Sequence, residues 1–286
     1  MLKQRLLTAI ILIPLIVWVL LSLSSQTFAW FLSIFVILGA YEWAGICGWH
    51  SKMARSLYTI TISLVLLMGI LNWELGNFVP AKFIGNGFWL MTILIVACLW
   101  WLLALFWVLR YQQGHSFIPV SPFIKGLLGF LILLPPWVAL LILHEHEYFG
   151  GPWVLFLLVL IWAADSGAYF IGKRWGKTKL AEKISPGKTY EGVAGALLTS
   201  FVVSLIYALF QSMSLMTLLF FMLLCLLTVM ASILGDLLES LFKRQAGIKD
   251  SGKILPGHGG VLDRIDSLTS AAPIFVLCLL LLGNLF

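Results

Sequence analysis

The chain is expected to be an all-α integral membrane protein, a polytopic helical bundle of about nine transmembrane helices. Three observations carry that expectation. Of its 286 residues 61% are hydrophobic and only 10% are charged, and the mean hydropathy is +1.04. A water-soluble fold could not cover its own surface with so few polar groups. The apolar residues gather into runs of about 20 residues, the length that crosses a bilayer. The cations fall almost wholly on alternate connections between those runs.

The runs lie at approximately 6–23, 28–48, 57–75, 88–109, 124–143, 152–172, 192–210, 214–236 and 267–285. The first, which follows Lys3 and Arg5, imitates a signal peptide, with Ser22-Leu23-Ser24 as a cleavage site. It exceeds the usual apolar core of roughly 7–15 residues, so an uncleaved span is expected. If the spans alternate, the N-terminus and the connections after the second, fourth, sixth and eighth spans share one side. Every Lys and Arg except Lys82 then falls on that side. The positive-inside rule makes it cytoplasmic, and an odd number of spans puts the C-terminus outside. No repeat or soluble domain interrupts the pattern. Residues 1–286 therefore read as a single polytopic membrane domain, with 162–192 and 236–266 as its charged cytoplasmic-face segments.

The net charge of +6 sits in juxtamembrane connections rather than along a continuous groove. Anionic lipid and phosphate ligands are the partners it suggests, and nucleic acid is not. Cys47, Cys98, Cys225 and Cys278 lack CxxC or metal-site spacing and read as small hydrophobes. His144-Glu145-His146-Glu147, on the side away from the cations, reads as a solvated turn rather than a metal site.

Chemistry concentrates near the C-terminus. Lys243, Arg244, Lys249, Lys253 and Arg264 are set with Asp250, Asp263 and Asp266 around Pro256-Gly257-His258-Gly259-Gly260. Cations hold phosphates, carboxylates hold a divalent metal, and glycines before a helix start let backbone N–H groups approach an anion. A tight re-entry into the membrane would also use glycine, and His258 is equally a phosphate donor or a satisfied loop residue. If the eighth span continues as helix out of the bilayer, Asp236, Glu239, Ser240 and Lys243 line one face at i, i+3, i+4 and i+7. Asp236, at the edge of hydrocarbon, is a functional candidate, the plainer alternative being a helix-end salt bridge to Lys243 or Arg244. Asp263 and Asp266, one turn apart at the start of the ninth span, offer oxygen ligands to a hard cation. The competing reading is acids complementing a helix dipole, worth about 0.3–1 kcal/mol each.

A second charged stretch repeats the theme. Asp165, Tyr169, Gly172 and Lys173 fall on one helical stripe, and Lys188-Thr189 after Pro186-Gly187 is like a phosphate-binding turn. No Walker pattern is present, and no strand is expected to carry one. Asp165, Lys188 and Glu191 are candidates, against lysines that merely touch lipid headgroups. Glu42 is a buried acid in the second span, expected to pair with a cation such as Arg55 or to face a cavity.

Taken together, Ser240, Phe242, Lys243, Arg244, Lys249, Asp250, Gly252, Leu255, Pro256, His258, Gly259, Gly260, Asp263, Arg264 and Asp266 resemble the signature of the phosphatidate cytidylyltransferase family, also called CDP-diacylglycerol synthases. The resemblance extends to Ser185, Pro186, Lys188, Thr189, Glu191 and Gly192 and to Asp165. It covers the C-terminal half firmly and the first half only by hydropathy. It implies a membrane enzyme of phospholipid biosynthesis in the bacterial cytoplasmic (inner) membrane. Such an enzyme condenses CTP with phosphatidate to CDP-diacylglycerol and pyrophosphate, using Mg2+ and a monovalent cation such as K+. Carried onto this chain, the catalytic set is Asp236, Lys243, Lys249, Asp250, His258, Asp263 and Asp266, with Asp236, Asp263 and Asp266 as metal ligands. Asp165, Ser185, Lys188, Thr189, Glu191, Ser240, Arg244, Gly259, Gly260 and Arg264 would contact substrate. A homodimer is compatible with the sequence.

The residues agree with that chemistry. A phosphomonoester dianion is itself a nucleophile, which suits a chain with no Ser or Cys nucleophile motif. Three rivals explain less. A CTP-dependent polyisoprenoid lipid kinase would attack the γ-phosphate and release CDP, and it does not call for the full signature. A secondary transporter would place its acids near the midplane, and a lipid-binding protein would explain the lysines but not the carboxylates.

Overall fold

The computed structural model describes residues 14–74, 87–114, 121–146, 150–252, 254 and 259–282. The order of elements is α1 (14–22), α2 (Ser25–Ile46), α3 (Lys52–Glu74), α4 (Gly87–Gln112), α5 (Pro122–Glu145), α6 (Gly150–Trp175), β1 (Lys179–Ala181), β2 (Ser185–Thr189), α7 (Tyr190–Phe210), α8 (Leu215–Gln245) and α9 (Leu262–Leu281). Among the described residues eight helices, α2 to α9, are long and apolar enough to cross a membrane. They overlie the second to ninth runs, and the protein is a polytopic all-α membrane protein. Residues 6–13 of the first run lie outside the described residues, and 14–22 are helical.

Local chemistry sets the helix ends. Ser24 caps α2 by accepting the Thr27 N–H, and Ser121 caps α5 by accepting that of Ile124, with Pro122 in the first turn. At 31 residues, α8 is about 46 Å long, well beyond a hydrocarbon core of about 30 Å. Its C-terminus closes with Gly247 at φ 70°, Ile248 N–H donating to Lys243 C=O and Gly247 N–H to Arg244 C=O. This pair of bonds satisfies the last carbonyls around a left-handed glycine.

One expectation is corrected here. The charged stretch after α6 does contain strands: β1 and β2 form an antiparallel hairpin with Lys179 opposite Thr189 and Ala181 opposite Ser185. Its backbone groups pair with each other because this stretch has neither the length nor the apolar content to continue as a membrane helix.

The chain divides into two compact units. The first comprises Met1–Ala97, Pro119–Leu155 and Phe242–Ile265, and the second Cys98–Ile118, Phe156–Leu241 and Asp266–Phe286. In the first, α2 packs on α3 and α5. Its buried polar atoms are tied across helices: Trp43 Nε1 donates to Lys125 C=O at 2.9 Å, Tyr58 O–H to Gly126 C=O at 3.0 Å, and Trp137 Nε1 to Ser33 Oγ at 3.0 Å. In lipid such bonds and close packing, rather than the hydrophobic effect, hold helices together. His144 belongs to this interior and not to a solvated turn, a second correction. It is buried, stacks on Phe28 at 4.4 Å and bonds Ser25 Oγ at 2.8 Å. In the second unit Phe156, Tyr207, Phe221 and Phe275 form an aromatic cluster, and Ser270 Oγ donates to Ala231 C=O. The four cysteines are free.

Candidate active site

In the first unit, the segment joining α8 to α9 is held by two carboxylates. Glu42, at 4% exposure, is one of them. Its Oε2 accepts from Ser251 Oγ at 3.0 Å and from the Leu262 N–H at 2.8 Å, and its Oε1 accepts from the Val261 N–H at 3.1 Å. Glu42 therefore does not pair with Arg55, whose Nε donates to Trp49 C=O. It caps α9 from another helix, where unpaired N–H groups and the helix dipole favour a negative charge. Glu42 and Ser251 are the residues the sequence reading left out of the site, and only the placement of an acid inside an apolar run hinted at the first.

Asp263 is the second. Lys243 Nζ lies 2.6 Å from its Oδ1, in a pair only 8% and 9% exposed. The Ser251 N–H reaches both carboxylate oxygens at 3.2 and 3.0 Å, and the Gly260 N–H donates to Oδ2 at 2.8 Å. Burying a charged pair is sustained only when the remaining lone pairs are also satisfied, as here. Two glycines make this possible. Gly259 has φ 84°, and a Cβ there would stand 2.7 Å from Asp263 Oδ2; a Cβ at Gly260 would meet Glu42 and Ser251. Arg244 Nη1 donates to Ile248 C=O, while Lys249, Asp250 and Arg264 are exposed. His258, Lys253 and Pro256 lie outside the described residues.

The second unit holds the other half of the expected residues. Lys188 Nζ is 2.7 Å from Asp236 Oδ2, and Ser240 Oγ donates to Asp236 Oδ1 at 3.2 Å, one turn along the same helix. Asp236 thus meets Lys188 rather than a cation of its own helix end. Asp165 is within electrostatic reach of both Asp236 and Lys188. The helix α8 packs closely on α9 here, for a Cβ on Gly235 would stand 2.5 Å from Asp266 C=O. Asp266 Oδ1 accepts the Ser267 N–H at 2.7 Å. Thr189 and Glu191 serve the hairpin: Thr189 Oγ1 accepts the Gly192 N–H to cap α7, and Glu191 accepts the Thr178 N–H. Ser185 opens β2, and Lys173 reaches Tyr169 at i+4, as the helical stripe requires.

A hard cation takes oxygen ligands, and Mg2+ is commonly held by one or two carboxylates, with waters and substrate phosphates completing the octahedron. Among the described residues no three His, Cys, Asp or Glu converge into a cage. Asp236 meets Lys188 and Ser240, and Asp165 and Asp266 lie in the same unit.

The described helices make a polytopic membrane protein whose charged segments carry lysine–carboxylate pairs. A model of the cytidylyltransferase family matches residues 3–282, and the chain belongs to that family of nucleotidyltransferases. It is 40% identical over 283 residues to a phosphatidate cytidylyltransferase of Haemophilus influenzae, covering 96% of this chain and 97% of that one. To the protein of that name in Pseudomonas aeruginosa it is 41% identical over 275 residues, covering 96% of each. A Bacillus subtilis protein of the same name is 42% identical over 134 residues, 46% of this chain and 48% of that one.

Proposed function

We propose that the protein transfers the cytidylyl group of CTP to phosphatidate, giving CDP-diacylglycerol and pyrophosphate, at the cytoplasmic face of a bacterial inner membrane. The observation that carries the reading is similarity over nearly the whole chain to proteins bearing that activity in their names. In this reaction a phosphate oxygen of phosphatidate bonds to the α-phosphorus of CTP, and the bond from that phosphorus to the bridging oxygen breaks. The protein must hold two polyanions together against their repulsion and stabilise charge growing on the leaving group.

Lys188 and Lys249 supply positive charge for the phosphates, and the Lys243–Asp263 pair holds the segment that carries Lys249 and Asp250. Mg2+, with Asp236 and Asp266 of the second unit as the proposed carboxylates, would supply charge neutralisation on phosphate oxygens when bound. A monovalent cation such as K+ is the second proposed cofactor. The test is pyrophosphate release by the purified protein in detergent. It is expected only when CTP, phosphatidate and Mg2+ are all present, and it should stop on chelation. Release of CDP instead would favour the lipid-kinase reading. Asp236→Asn keeps the size and one oxygen of the side chain but removes the charge that holds a hard cation, so turnover should nearly vanish. Substantial activity in the folded variant would remove Asp236 from the metal set.

A further inference from the structure

The first unit contains a cavity of about 690 Å³, a size that accepts a small ligand. One wall is the segment that carries Lys249, Asp250 and Ser251, and the others are the end of α2 at Gly45, the α2–α3 connection, including Gly48 and His50, Arg55 at the start of α3 and Lys125 at the start of α5. Arg55 is fixed there. Its Nε donates to Trp49 C=O at 2.8 Å, and its guanidinium lies so close to Gly45 that a Cβ would stand 3.1 Å from Cζ and Nη2. The remaining guanidinium nitrogens stay available for a planar, two-point contact with an oxyanion. Lys125 and Cys47 line the same cavity.

Among the described residues no carboxylate forms an ion pair with Arg55, Lys125 or Lys249, and both Arg55 and Lys125 are half-buried. The Arg55 guanidinium also lies over the Tyr41 ring at 5.7 Å, so the cavity presents cations that no carboxylate pairs and that an anionic ligand would neutralise. Against these three cations the cavity wall offers one acid, Asp250.

We propose that this cavity is a phosphate-binding subsite in which Arg55 and Lys125, with Lys249, grip the phosphate of a substrate. It deepens the cytidylyltransferase reading and rests on it for the identity of that substrate. Two sources share the chemistry, the triphosphate of the nucleotide and the phosphomonoester of the lipid. The cavity is bounded by the same segment to which the transferase reading assigns phosphate contact, which ties Arg55 and Lys125, far away in sequence, to the reaction.

The experiment uses the full chain in phosphatidylcholine nanodiscs. Labelled CTP is titrated without phosphatidate, and KM is measured separately for CTP and for phosphatidate in wild type, Arg55→Gln, Lys125→Gln and Arg55→Lys. Loss of a hydrogen-bonded charge should weaken one substrate about ten-fold or more, with Arg55→Lys recovering part of the loss. A shift confined to CTP assigns the cavity to the nucleotide phosphates, and one confined to phosphatidate assigns it to the lipid headgroup. If Arg55→Gln fails to fold, Lys125→Gln carries the test, because its side chain bonds no backbone group. Unchanged KM values for both substrates in folded Lys125→Gln would overturn the subsite and leave the transferase reading standing. Wild-type CTP binding that Lys125→Gln weakens, without pyrophosphate release, would uphold the subsite and sink the transferase reading.

Discussion

Glu42 shows how one side chain sets the geometry of a distant segment. Hydrogen bonds to a charged group are worth about 1.5–3 kcal/mol each, and this carboxylate receives them from Ser251 Oγ and from the Val261 and Leu262 N–H groups. Glu42→Gln turns one acceptor oxygen into a donor facing those donors. The variant should lose thermal stability and lower kcat by more than ten-fold, while Glu42→Asp recovers part of the activity; kinetics with a melting curve checks both. Lys243 and Asp263 pose a sharper case. Removing one partner of a buried pair costs about 3–5 kcal/mol because the other charge is left uncompensated. Lys243→Met alone should therefore destabilise strongly, and adding Asp263→Asn should cost much less than the sum of the singles. Additive losses in the double-mutant cycle would show that the two do not act as a pair.

At the scale of elements, the α7 cap is the joint between hairpin and membrane helix. Thr189 pairs with Lys179 in the hairpin while its hydroxyl accepts the Gly192 N–H. Thr189→Ala should cost about 1 kcal/mol, as loss of a helix cap does, and Thr189→Ser should restore it; a chemical-denaturation midpoint reads the difference. The hairpin also shows what hydropathy leaves out. Apolar runs report which residues need a bilayer, so the spans from 28–48 onwards match helices α2 to α9 to within a few residues at most ends. Helix α8 leaves the apolar core near Asp236 and stays helical to Gln245, the continuation on which the one-face spacing of Asp236, Glu239, Ser240 and Lys243 depends, because charge marks the end of the apolar core and not of the helix. The strands around Pro186 and Gly187 carry no alternation to read, and they are held in place by side-chain contacts such as Glu191 to Thr178. Glu42 was legible as an acid in the wrong solvent. Its partners, 209 to 220 residues further on, were not, because nothing in local sequence encodes a contact of that separation.

For the whole molecule, the distribution of charge carries the orientation. Every Lys and Arg except Lys82 falls on one set of connections when the spans alternate, and translocating such connections is disfavoured. The same side carries the charged segments, and a water-soluble nucleotide made in the cytoplasm must reach them. The proposed reaction therefore requires what the positive-inside rule predicts. Lys179 in β1 and Gln245 at the end of α8 test both connections. In a background with the four native cysteines replaced, Lys179→Cys and Gln245→Cys should resist a membrane-impermeant thiol reagent added to intact cells and react once the membrane is opened. Neither position needs its native side chain to fold: Lys179 Nζ makes one exposed hydrogen bond, to Pro186 C=O, and Gln245 is the last residue of its helix. Labelling of either in intact cells would reverse the orientation. It would also place the lysines and carboxylates on the side that CTP does not reach, so the proposed reaction would fall with it.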